Sequence, residues 1–380
     1  MSNIHEVKIG ILGGGQLGRM FALAAGNFGI HPHFLEKDKN FPAGLLSQNV
    51  KLGDFTNEED VYNFGSQMDI ISIEIENVNT AALHRLKAEG KKVYPDPSLI
   101  EMIKDKGTQK EFYISNEMPT STFTYVNDKA DLLAKISSGE VTFPFVQKSR
   151  TEGYDGKGVT VIKEEADLEK AFDVASFAED LVDIEKELAV TVARNESGEI
   201  VTYPVVEMVF DPEANLVDYL QYPADISLEV IETCQSIAES LATKTSLIGL
   251  LAIEFFLTKD GEVIINEMAP RTHNSGHLTM EACVTSQFEQ HLRSICNLPL
   301  GSTEYMRPAI MLNLLGRKEY TGPANYPNLD KICSFPGVHV HIYGKEISKP
   351  KRKMGHINIV SERLDDAKKT LLEIKTILDS

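Results

Sequence analysis

The sequence predicts an α/β domain with a parallel sheet at the start of the chain, followed by α+β segments built from antiparallel hairpins. Up to residue 100, short apolar runs such as VKIGIL and DIISIEI alternate with helical stretches, a pattern typical of parallel sheets covered by helices. After residue 118 the apolar runs are joined by glycine turns, as at Asn195–Gly198 and Asp260–Gly261, which favours hairpins. The chain beyond residue 300 is again rich in strand-like runs and ends in a helix, RLDDAKKTLLEIKTIL.

The other elements follow from the spacing of apolar residues. HPHFLEKD predicts a second strand, and the turn-rich YPDPS marks the end of the first domain. FPFVQKSR and VTVIKE predict two strands that flank a glycine-rich loop. Helices are predicted for QLGRMFALAAGNFG directly after the first strand, for ADLEKAFDVAS, and for ISLEVIETCQSIAESLATK.

Composition and charge restrict the classes of function. The chain of 380 residues has a formal net charge of −18, from 56 acidic and 38 basic side chains. Such a chain repels nucleic acids and acidic membranes, so we expect small-molecule partners, and an anionic ligand would need a local basic pocket. MSNIHEVKIG does not read as a secretory signal, and the apolar run SLIGLLAIEFFL is too short to span a bilayer. Four cysteines without CxxC spacing fit a reduced, cytoplasmic, soluble protein.

The first candidate site is GGGQLG, Gly13–Gly18, between a predicted strand and a predicted helix. N–H groups at such a turn approach phosphates closely, and the helix N-terminus favours negative charge. Glu36 stands where dinucleotide-binding folds keep a ribose-binding acid, so an NAD enzyme is one interpretation and a plain strand–helix turn is another. Glu76, after the strand DIISIEI, is either at the same ligand-binding edge of the sheet or a solvated strand end.

A second glycine cluster, Gly153–Gly158, lies between two predicted strands. The sequence G-x-x-x-x-G-K-[ST] does not occur, which excludes a P-loop. A glycine loop on a hairpin can close over phosphates with its backbone N–H groups, helped by Lys148 on the preceding strand. The alternative is an ordinary Asp-Gly hairpin turn that needs no ligand.

Glu254 and Glu267 lie six residues before Asp260 and six after Gly261. In an antiparallel hairpin centred on that dipeptide the two carboxylates are directly opposite, with Cβ atoms about 5 Å apart. Such carboxylates repel unless one is protonated or a cation lies between them, and a divalent metal with oxygen ligands resolves the conflict. If the register differs, one glutamate faces water instead.

The segment RTHNSGH, Arg271–His277, follows this hairpin and could hold a small oxyanion. His273 could act there as acid or base, because a histidine pKa can lie near neutrality, whereas the alternative is a polar loop that caps the next helix. His339 and His341 share one strand face and could ligate a metal, although surface histidines are more usual without a third ligand. The basic stretch 345–353 is either a solvated turn or a receptor for a substrate phosphate.

In their order and combination, these motifs resemble the ATP-grasp superfamily and, within it, the 5-(carboxyamino)imidazole ribonucleotide synthase family. The similar strings run from GGGQLGRM through IENV, GYDGKG, IEKELAV and YPVVE to NEMAPRTHNSGH, YGK and RKMGH. The resemblance implies a Rossmann-like pre-ATP-grasp domain at 1–105, an ATP-grasp small or lid region at 106–190, an ATP-grasp large region with the metal site at 191–300, and a β-rich C-terminal region at 301–380. The first glycine motif would then cradle a ribonucleotide phosphate instead of the pyrophosphate of NAD.

The resemblance also implies roles for residues at matching positions. Residues expected at the ATP phosphates are Lys106, Lys148, Gly153, Tyr154, Asp155, Gly156, Lys157, Gly158 and Val159. Those expected at the nucleoside are Glu179, Asp180, Leu181, Val182 and, on the ribose, Glu187. Magnesium or manganese would be bound by Glu254 and Glu267, beside Asn266. The predicted catalytic residues are Arg271, His273 and Asn274, which would surround bicarbonate, and Asp155. The imidazole ribonucleotide would contact Gln16, Leu17, Glu76, Tyr154, Asp155, Lys345 and Arg352.

The activity implied is ATP-dependent carboxylation of 5-aminoimidazole ribonucleotide by bicarbonate, through carboxyphosphate, in a homodimeric enzyme of purine biosynthesis. A formate-dependent glycinamide ribonucleotide transformylase is the nearest alternative, but NSGH after PRTH and the later RKMGH favour the carboxylating enzyme. An NAD(P) oxidoreductase would leave the second glycine loop and the Glu254/Glu267 pair unused, and a non-catalytic nucleotide sensor would not need every catalytic position filled. Lys106, Glu152 and Val159 depart from the family's usual Arg, Gly and Gln. These departures affect the expected motion of the lid more than the assignment to the family.

Overall fold

The structure is a computed structural model that describes residues 4–151, 158–211 and 216–379. Its first domain alternates strands and helices: β1 Ile9–Leu12, α1 Gln16–Gly26, β2 His33–Glu36, β3 Val50–Leu52, α2 Glu58–Gly65, β4 Ile70–Ile73, α3 Thr80–Ala88, β5 Lys92–Val93 and α4 Pro97–Lys104. The strands pair in parallel in the order β3-β2-β1-β4-β5. The predicted α/β start of the chain is therefore confirmed.

Helices on both faces of this sheet explain why its central strands are apolar throughout. Every residue of β1 and β4 is buried, as expected for parallel strands covered on both sides. Ile9 packs in the cluster that includes α1, and Leu12 packs in the cluster that includes α2 and α3. Parallel strands end at one edge of the sheet, and there the turn after β1, Glu36 at the end of β2, and Glu74 directly after β4 meet.

A smaller unit follows: α5 Lys106–Ser115, β6 Phe123–Val126, α6 Lys129–Ser138, β7 Phe145–Ser149, β8 Val159–Ile162 and β9 Ser176–Asp180. The strands form an antiparallel sheet in the order β6-β9-β7-β8. The helix predicted for ADLEKAFDVAS is wrong, since a short 3-10 helix spans only Glu165–Lys170 and the chain is already extended at Ala171. Burial of the start of β9 in this sheet outweighs the local helical preference.

The remaining elements are β10 Ile184–Arg194, β11 Ile200–Thr202, β12 Val206–Asp211, β13 Leu216–Tyr222, α7 Leu228–Lys244, β14 Gly249–Thr258, β15 Val263–Ala269, α8 Thr279–Ala282, α9 Gln287–Ile295, β16 Ala309–Leu315, β17 Gly322–Pro323, α10 Leu329–Cys333, β18 Val338–Ile342, β19 Ile347–Ser348, β20 Lys353–Val360 and α11 Leu364–Asp379. The large sheet runs β15-β14-β10-β12-β13-β16-β20-β18, with β11 paired to β10. Of the C-terminal strands, β16, β18 and β20 therefore extend the central sheet, whereas β17 and β19 pair with each other in a separate two-stranded sheet. Across the described ranges, no helix is both long and apolar enough to cross a membrane.

Candidate active site

The glycine turn after β1 is bound by two carboxylates of its own domain. Glu36 Oε2 accepts a hydrogen bond of 2.9 Å from Gly14 N, and Glu74 accepts from Gly15 N and, at 2.6 Å, from Gly18 N. Burial raises the pKa of Glu74 to about 7. Glu36 is thus hydrogen-bonded to the glycine turn. This contact argues against the NAD interpretation, in which Glu36 would bind a ribose.

The start of α1 faces the C-terminal region. Gly15, the residue before the helix, provides no side-chain cap, so the first N–H groups of α1, at Gln16 and Leu17, point to where an anion would be favoured. Lys345 Nζ donates to Gln16 Oε1 at 2.6 Å and to the carbonyl of Lys353 at 2.6 Å. The structure therefore brings Gln16, Leu17 and Lys345 together, as predicted.

Arg352 is placed differently from Lys345. Its side chain is exposed, and its guanidinium donates to the carbonyl of Ile347 at 2.6 Å. The neighbouring Lys353 is only partly exposed, and its charge contributes to the lowered pKa of His273. Lys353, which the sequence analysis included in the basic stretch 345–353 without assigning it to a ligand, therefore acts on a residue of the cleft, whereas the described contact of Arg352 is with Ile347.

One ion pair joins the first domain to the loop after β15. Arg271 Nε lies 2.9 Å from Glu76 Oε1, and both side chains are about one fifth exposed, at 19% and 20%. Glu76 follows β4 at the ligand-binding edge of the first sheet, and Arg271 follows the last residue of β15 by two positions. This contact brings two of the predicted substrate regions into one cleft.

The predicted carboxylate pair is present. Glu254 and Glu267 are direct partners in the β14–β15 ladder. The turn is a three-residue loop rather than a dipeptide, because Thr258 N bonds to Glu262 O at 2.9 Å and Gly261 takes a φ of 85°. A register shift after Glu254 restores the pairing. Asn266 lies in that shift, with its Nδ2 3.4 Å from Glu254 Oε2.

The two carboxylates differ in protonation. Burial, and then repulsion from Glu267 and Glu187, raises the pKa of Glu254 to about 8. Burial also acts against the charge of Glu267, but the ammonium of Lys106 outweighs it and lowers the pKa of Glu267. Lys106 Nζ lies 2.8 Å from Glu267 Oε2. The pKa values of the two carboxyl groups are thus shifted in opposite directions, as expected when two acids crowd together and a cation lies beside one of them.

Lysines from the smaller unit complete this cleft. Lys148 Nζ donates to Asn266 Oδ1 at 3.1 Å and lies 2.5 Å from Glu179 Oε1. Lys110, buried at 4% exposure, lies 3.0 Å from the other oxygen of Glu179. These contacts outweigh burial and lower the pKa of Glu179. Lys110 was missed from the sequence, although it lies one helical turn after Lys106 and faces the same way.

The residues expected at a nucleoside line the passage from β9 to β10. Asp180 ends β9, Leu181 is 40% exposed, and Val182 lies in the connection to β10. Glu187 stands on β10, where burial raises its pKa to about 7. The charges of Lys148 and Glu267 also act on the pKa of Glu187, so this residue belongs to the same cleft.

The loop after β15 carries His273 and Asn274 into the cleft. His273 Nε2 lies 3.8 Å from Glu254 Oε1, and its Nδ1 is 3.0 Å from Ser275 Oγ. Burial, and then the charge of Arg271, lowers the pKa of His273 to about 3, so the expected near-neutral pKa is not found. Asn274 Oδ1 is buried without a hydrogen-bond partner among the described residues.

Other predicted positions are peripheral or lie outside the described residues. Val159 begins β8, and Gly158 directly precedes it; the carbonyl of Gly158 accepts from Ser149 N at 2.8 Å. The predicted residues outside the described ranges are Gly153, Tyr154, Asp155, Gly156 and Lys157. His341 is paired with Glu281 at 2.8 Å, and within the described part of the chain no cluster suited to a metal includes His339 or His341.

Three family descriptions match the chain in order. They are the ribonucleotide synthetase preATP-grasp domain at 6–104, the ATP-grasp domain at 111–288, and the phosphoribosylaminoimidazole carboxylase C-terminal domain at 309–370. Paired carboxylates and lysines held between a small antiparallel sheet and a larger one define, with these matches, an ATP-grasp ligase.

Individual relatives indicate which family of ATP-grasp ligases the chain belongs to. The N5-carboxyaminoimidazole ribonucleotide synthase of Bacillus subtilis is 37% identical over 94% of this chain and 92% of its own length. The phosphoribosylaminoimidazole carboxylase of Candida glabrata is 38% identical over 96% of this chain, which spans only 65% of that relative. The solved N5-carboxyaminoimidazole ribonucleotide synthetase of Thermotoga maritima is 42% identical, with a TM-score of 0.90 over 98% of both chains. An Aspergillus clavatus synthase, solved with ADP and 5-aminoimidazole ribonucleotide, is 30% identical, with a TM-score of 0.89 over 99% of both chains. The chain belongs to the N5-carboxyaminoimidazole ribonucleotide synthase family.

Proposed function

We propose that this chain carboxylates 5-aminoimidazole ribonucleotide with bicarbonate and ATP, giving N5-carboxyaminoimidazole ribonucleotide, ADP and phosphate. The observation that carries the proposal is the ion pair between Glu76 and Arg271. It joins the edge where a ribonucleotide phosphate would bind to the carboxylates and lysines suited to ATP. Relatives named for this activity, and one solved with both ADP and the ribonucleotide, support the choice of substrates.

ATP would bind with its phosphates at Lys106 and Lys148 and its nucleoside near Glu179 and Glu187. The oxygen atoms of Glu254, Glu267 and Asn266 suit magnesium or manganese, and the raised pKa of Glu254 fits a site where a cation replaces a proton. When bound, the metal ion would neutralise charge on the phosphates. The two lysines would hold the transferred phosphoryl group in line for attack.

Bicarbonate would bind at the loop after β15. Arg271 would pair with its negative oxygens. Asn274 Oδ1, which has no hydrogen-bond partner in the described part of the chain, is an acceptor suited to its hydroxyl group. His273, neutral at physiological pH, would donate or accept a hydrogen bond without adding charge. These groups would orient one bicarbonate oxygen toward the γ-phosphate of ATP.

The reaction proceeds in two steps. A bicarbonate oxygen attacks the γ-phosphorus and ADP leaves, which gives carboxyphosphate. The exocyclic amine of the ribonucleotide then takes up the carboxyl carbon, delivered as carboxyphosphate or as carbon dioxide, while phosphate leaves and the amine loses a proton. Gln16, Leu17 and Lys345 would hold the ribonucleotide phosphate, and Asp155 stays a predicted catalytic residue.

A coupled assay of ADP release tests this function. We expect turnover that requires both the aminoimidazole ribonucleotide and bicarbonate, and none when formate is the only carbon donor with glycinamide ribonucleotide. Turnover with formate alone would instead assign the chain to the transformylase branch. The homodimer and the cytoplasmic location remain proposals, and sedimentation of the purified chain tests the first.

A further inference from the structure

A buried glutamine at the start of α9 binds the backbone of the bicarbonate loop. Gln287 is fully buried, and its side-chain Oε1 accepts a hydrogen bond of 2.9 Å from His273 N. Its Nε2 donates to the carbonyl of the same residue, His273, at 2.8 Å. One side chain thus satisfies both main-chain groups of the residue between Thr272 and Asn274.

The same amide group also contacts the far end of the loop. Gln287 Nε2 lies 3.0 Å from His277 Nδ1, and because Nε2 is a donor, Nδ1 must be the unprotonated nitrogen of that imidazole. Gly276 passes so close that a Cβ there would lie 2.4 Å from Gln287 Oε1. The loop from His273 to His277 is therefore wrapped around this one amide group.

The main chain of Gln287 is also held by a hydrogen bond. Its main-chain N donates to Thr279 Oγ1 at 2.8 Å, and that hydroxyl donates in turn to the carbonyl of Gly276 at 2.5 Å. Since both ends of the side chain are held, the orientation of His273 and Asn274 depends on the length and polarity of residue 287.

We infer that Gln287 is a positioning residue for the carboxylation step, one that sets the bicarbonate site through the backbone of His273. The inference rests on the proposed function, because it concerns the bicarbonate loop of that reaction. Gln287 is fully buried, and its described side-chain hydrogen bonds go to His273 and His277, not to residues expected at ATP or the ribonucleotide, so both substrates should bind normally without it. A misplaced loop should instead weaken the use of bicarbonate, since small errors of position cost large factors in rate.

The same helix supplies a matched control. Gln290 is also fully buried, and it too bonds one residue's backbone in both directions: its Nε2 donates to Gly301 O at 2.9 Å and its Oε1 accepts from Gly301 N at 2.8 Å. The segment around Gly301 carries none of the predicted site residues. Each leucine variant therefore removes a two-way pairing with the backbone of one residue, and Gln287→Leu also removes the contact with His277. Of the two, only Gln287→Leu affects the bicarbonate loop.

The test compares both variants with the wild-type enzyme by steady-state kinetics, varying bicarbonate, ATP and ribonucleotide separately. We expect Gln287→Leu to lower kcat/KM for bicarbonate by about 10- to 100-fold, with KM for ATP and ribonucleotide within about twofold of wild type, and Gln290→Leu to leave all three unchanged. Gln287→Glu keeps the acceptor for His273 N but loses both donors, so it should also lower kcat/KM for bicarbonate. This variant serves as the test if the leucine variant folds poorly. Equal kinetic profiles for the Gln287 and Gln290 variants in an active enzyme would overturn the inference. A wild-type enzyme without bicarbonate-dependent ADP release would overturn the proposed function instead.

Discussion

The charge of each ionisable side chain in the cleft depends on the charges of its neighbours. Lys106 pairs with Glu267 at 2.8 Å while Glu254, directly across the hairpin, has a pKa of about 8. Removing one charge from this set leaves a partly buried partner without its compensating charge, which costs more than the lost contact alone. Single substitutions here should therefore affect catalysis far more than their small change in volume suggests.

Glu267→Gln should abolish turnover while the protein stays folded. The substitution keeps the side-chain volume but removes the negative charge that faces Lys106 and the proposed metal ion. We expect ADP release to fall by at least about 100-fold, in line with loss of a group that stabilises charge in the transition state. Glu262→Gln, an exposed position on the same hairpin, is the control and should keep wild-type activity. Near-normal turnover of Glu267→Gln at saturating magnesium would contradict the assignment of this pair.

Glu74 should give the protein a measurable pH dependence of stability. Its pKa in the folded state, about 7, lies above the ordinary 4.5, so the folded state binds the proton more tightly than the unfolded state. The stabilisation is complete below about pH 4.5 and is lost as pH rises through 7, by about 3 kcal/mol in total. Thermal melts at about pH 5 and pH 8 should differ less for Glu74→Gln than for wild type. Glu58→Gln at the exposed start of α2 should keep the wild-type difference, and an unchanged difference in Glu74→Gln would refute the prediction.

At the scale of elements, the glycine turn and the start of α1 have different partners. In a dinucleotide-binding fold, both would contact the pyrophosphate of the ligand. Glu36 and Glu74 occupy the N–H groups of Gly14, Gly15 and Gly18. Among the described residues of this turn, the N–H groups of Gln16 and Leu17, with Lys345 beside them, are the ones we expect at a phosphate. This arrangement suits one phosphate, whereas a pyrophosphate would have to displace two partly buried carboxylates.

Ligand-induced thermal shifts should distinguish the two kinds of ligand. At 100 times its dissociation constant a ligand adds about 2.7 kcal/mol of stability, which is visible as a rise in Tm. We expect 5-aminoimidazole ribonucleotide to raise Tm and NADH to leave it unchanged. Gly15→Ala should weaken the ribonucleotide shift but retain the one from ATP and magnesium, because a Cβ at Gly15 would lie 2.5 Å from Glu74 Oε1 and disturb the turn. A saturable shift with NADH would overturn this view of the first domain.

The segment between β18 and β20 should control ribonucleotide binding without affecting ATP. Lys345→Ala removes the ammonium group beside Gln16, so a charge-assisted bond to the ribonucleotide phosphate is lost. We expect KM for the ribonucleotide to rise about tenfold or more, with KM for ATP little changed. Lys318→Ala, an exposed lysine of the same region, should behave as wild type. An increase confined to KM for ATP would reassign the segment.

Local geometry explains which parts of the site were predictable. The pairing of Glu254 with Glu267 follows from hairpin spacing, which depends on few residues, and the structure has it despite a different turn. The occupation of the glycine turn by Glu74 depends on where β4 ends relative to β1, and no spacing rule along the chain reports that. Gln287 was missed for the same reason, because its contacts with His273 arise from packing of α9 against a loop fourteen residues earlier.

At the scale of the whole molecule, the cleft draws on regions that are far apart in the sequence. Gln16 meets Lys345, Glu76 meets Arg271, and Lys106 meets Glu267. The order of elements and the fold class were predictable from motifs that are each local. The contacts between these regions were not predictable, since they depend on how the three larger sheets are packed against one another. The resemblance to a known family predicted which residues belong to one site, and the structure shows which of their atoms are in contact.

The continuous central sheet has a consequence for how the chain can be divided. β16 pairs with β13 on one side and β20 on the other, so a chain that ended before β16 would leave β13 as an unprotected edge. Edge strands with free N–H and carbonyl groups pair readily with other chains. Fragments without the C-terminal strands should therefore aggregate, and this region could not be exchanged between relatives as an independent module unless its strand-pairing surface were exchanged with it.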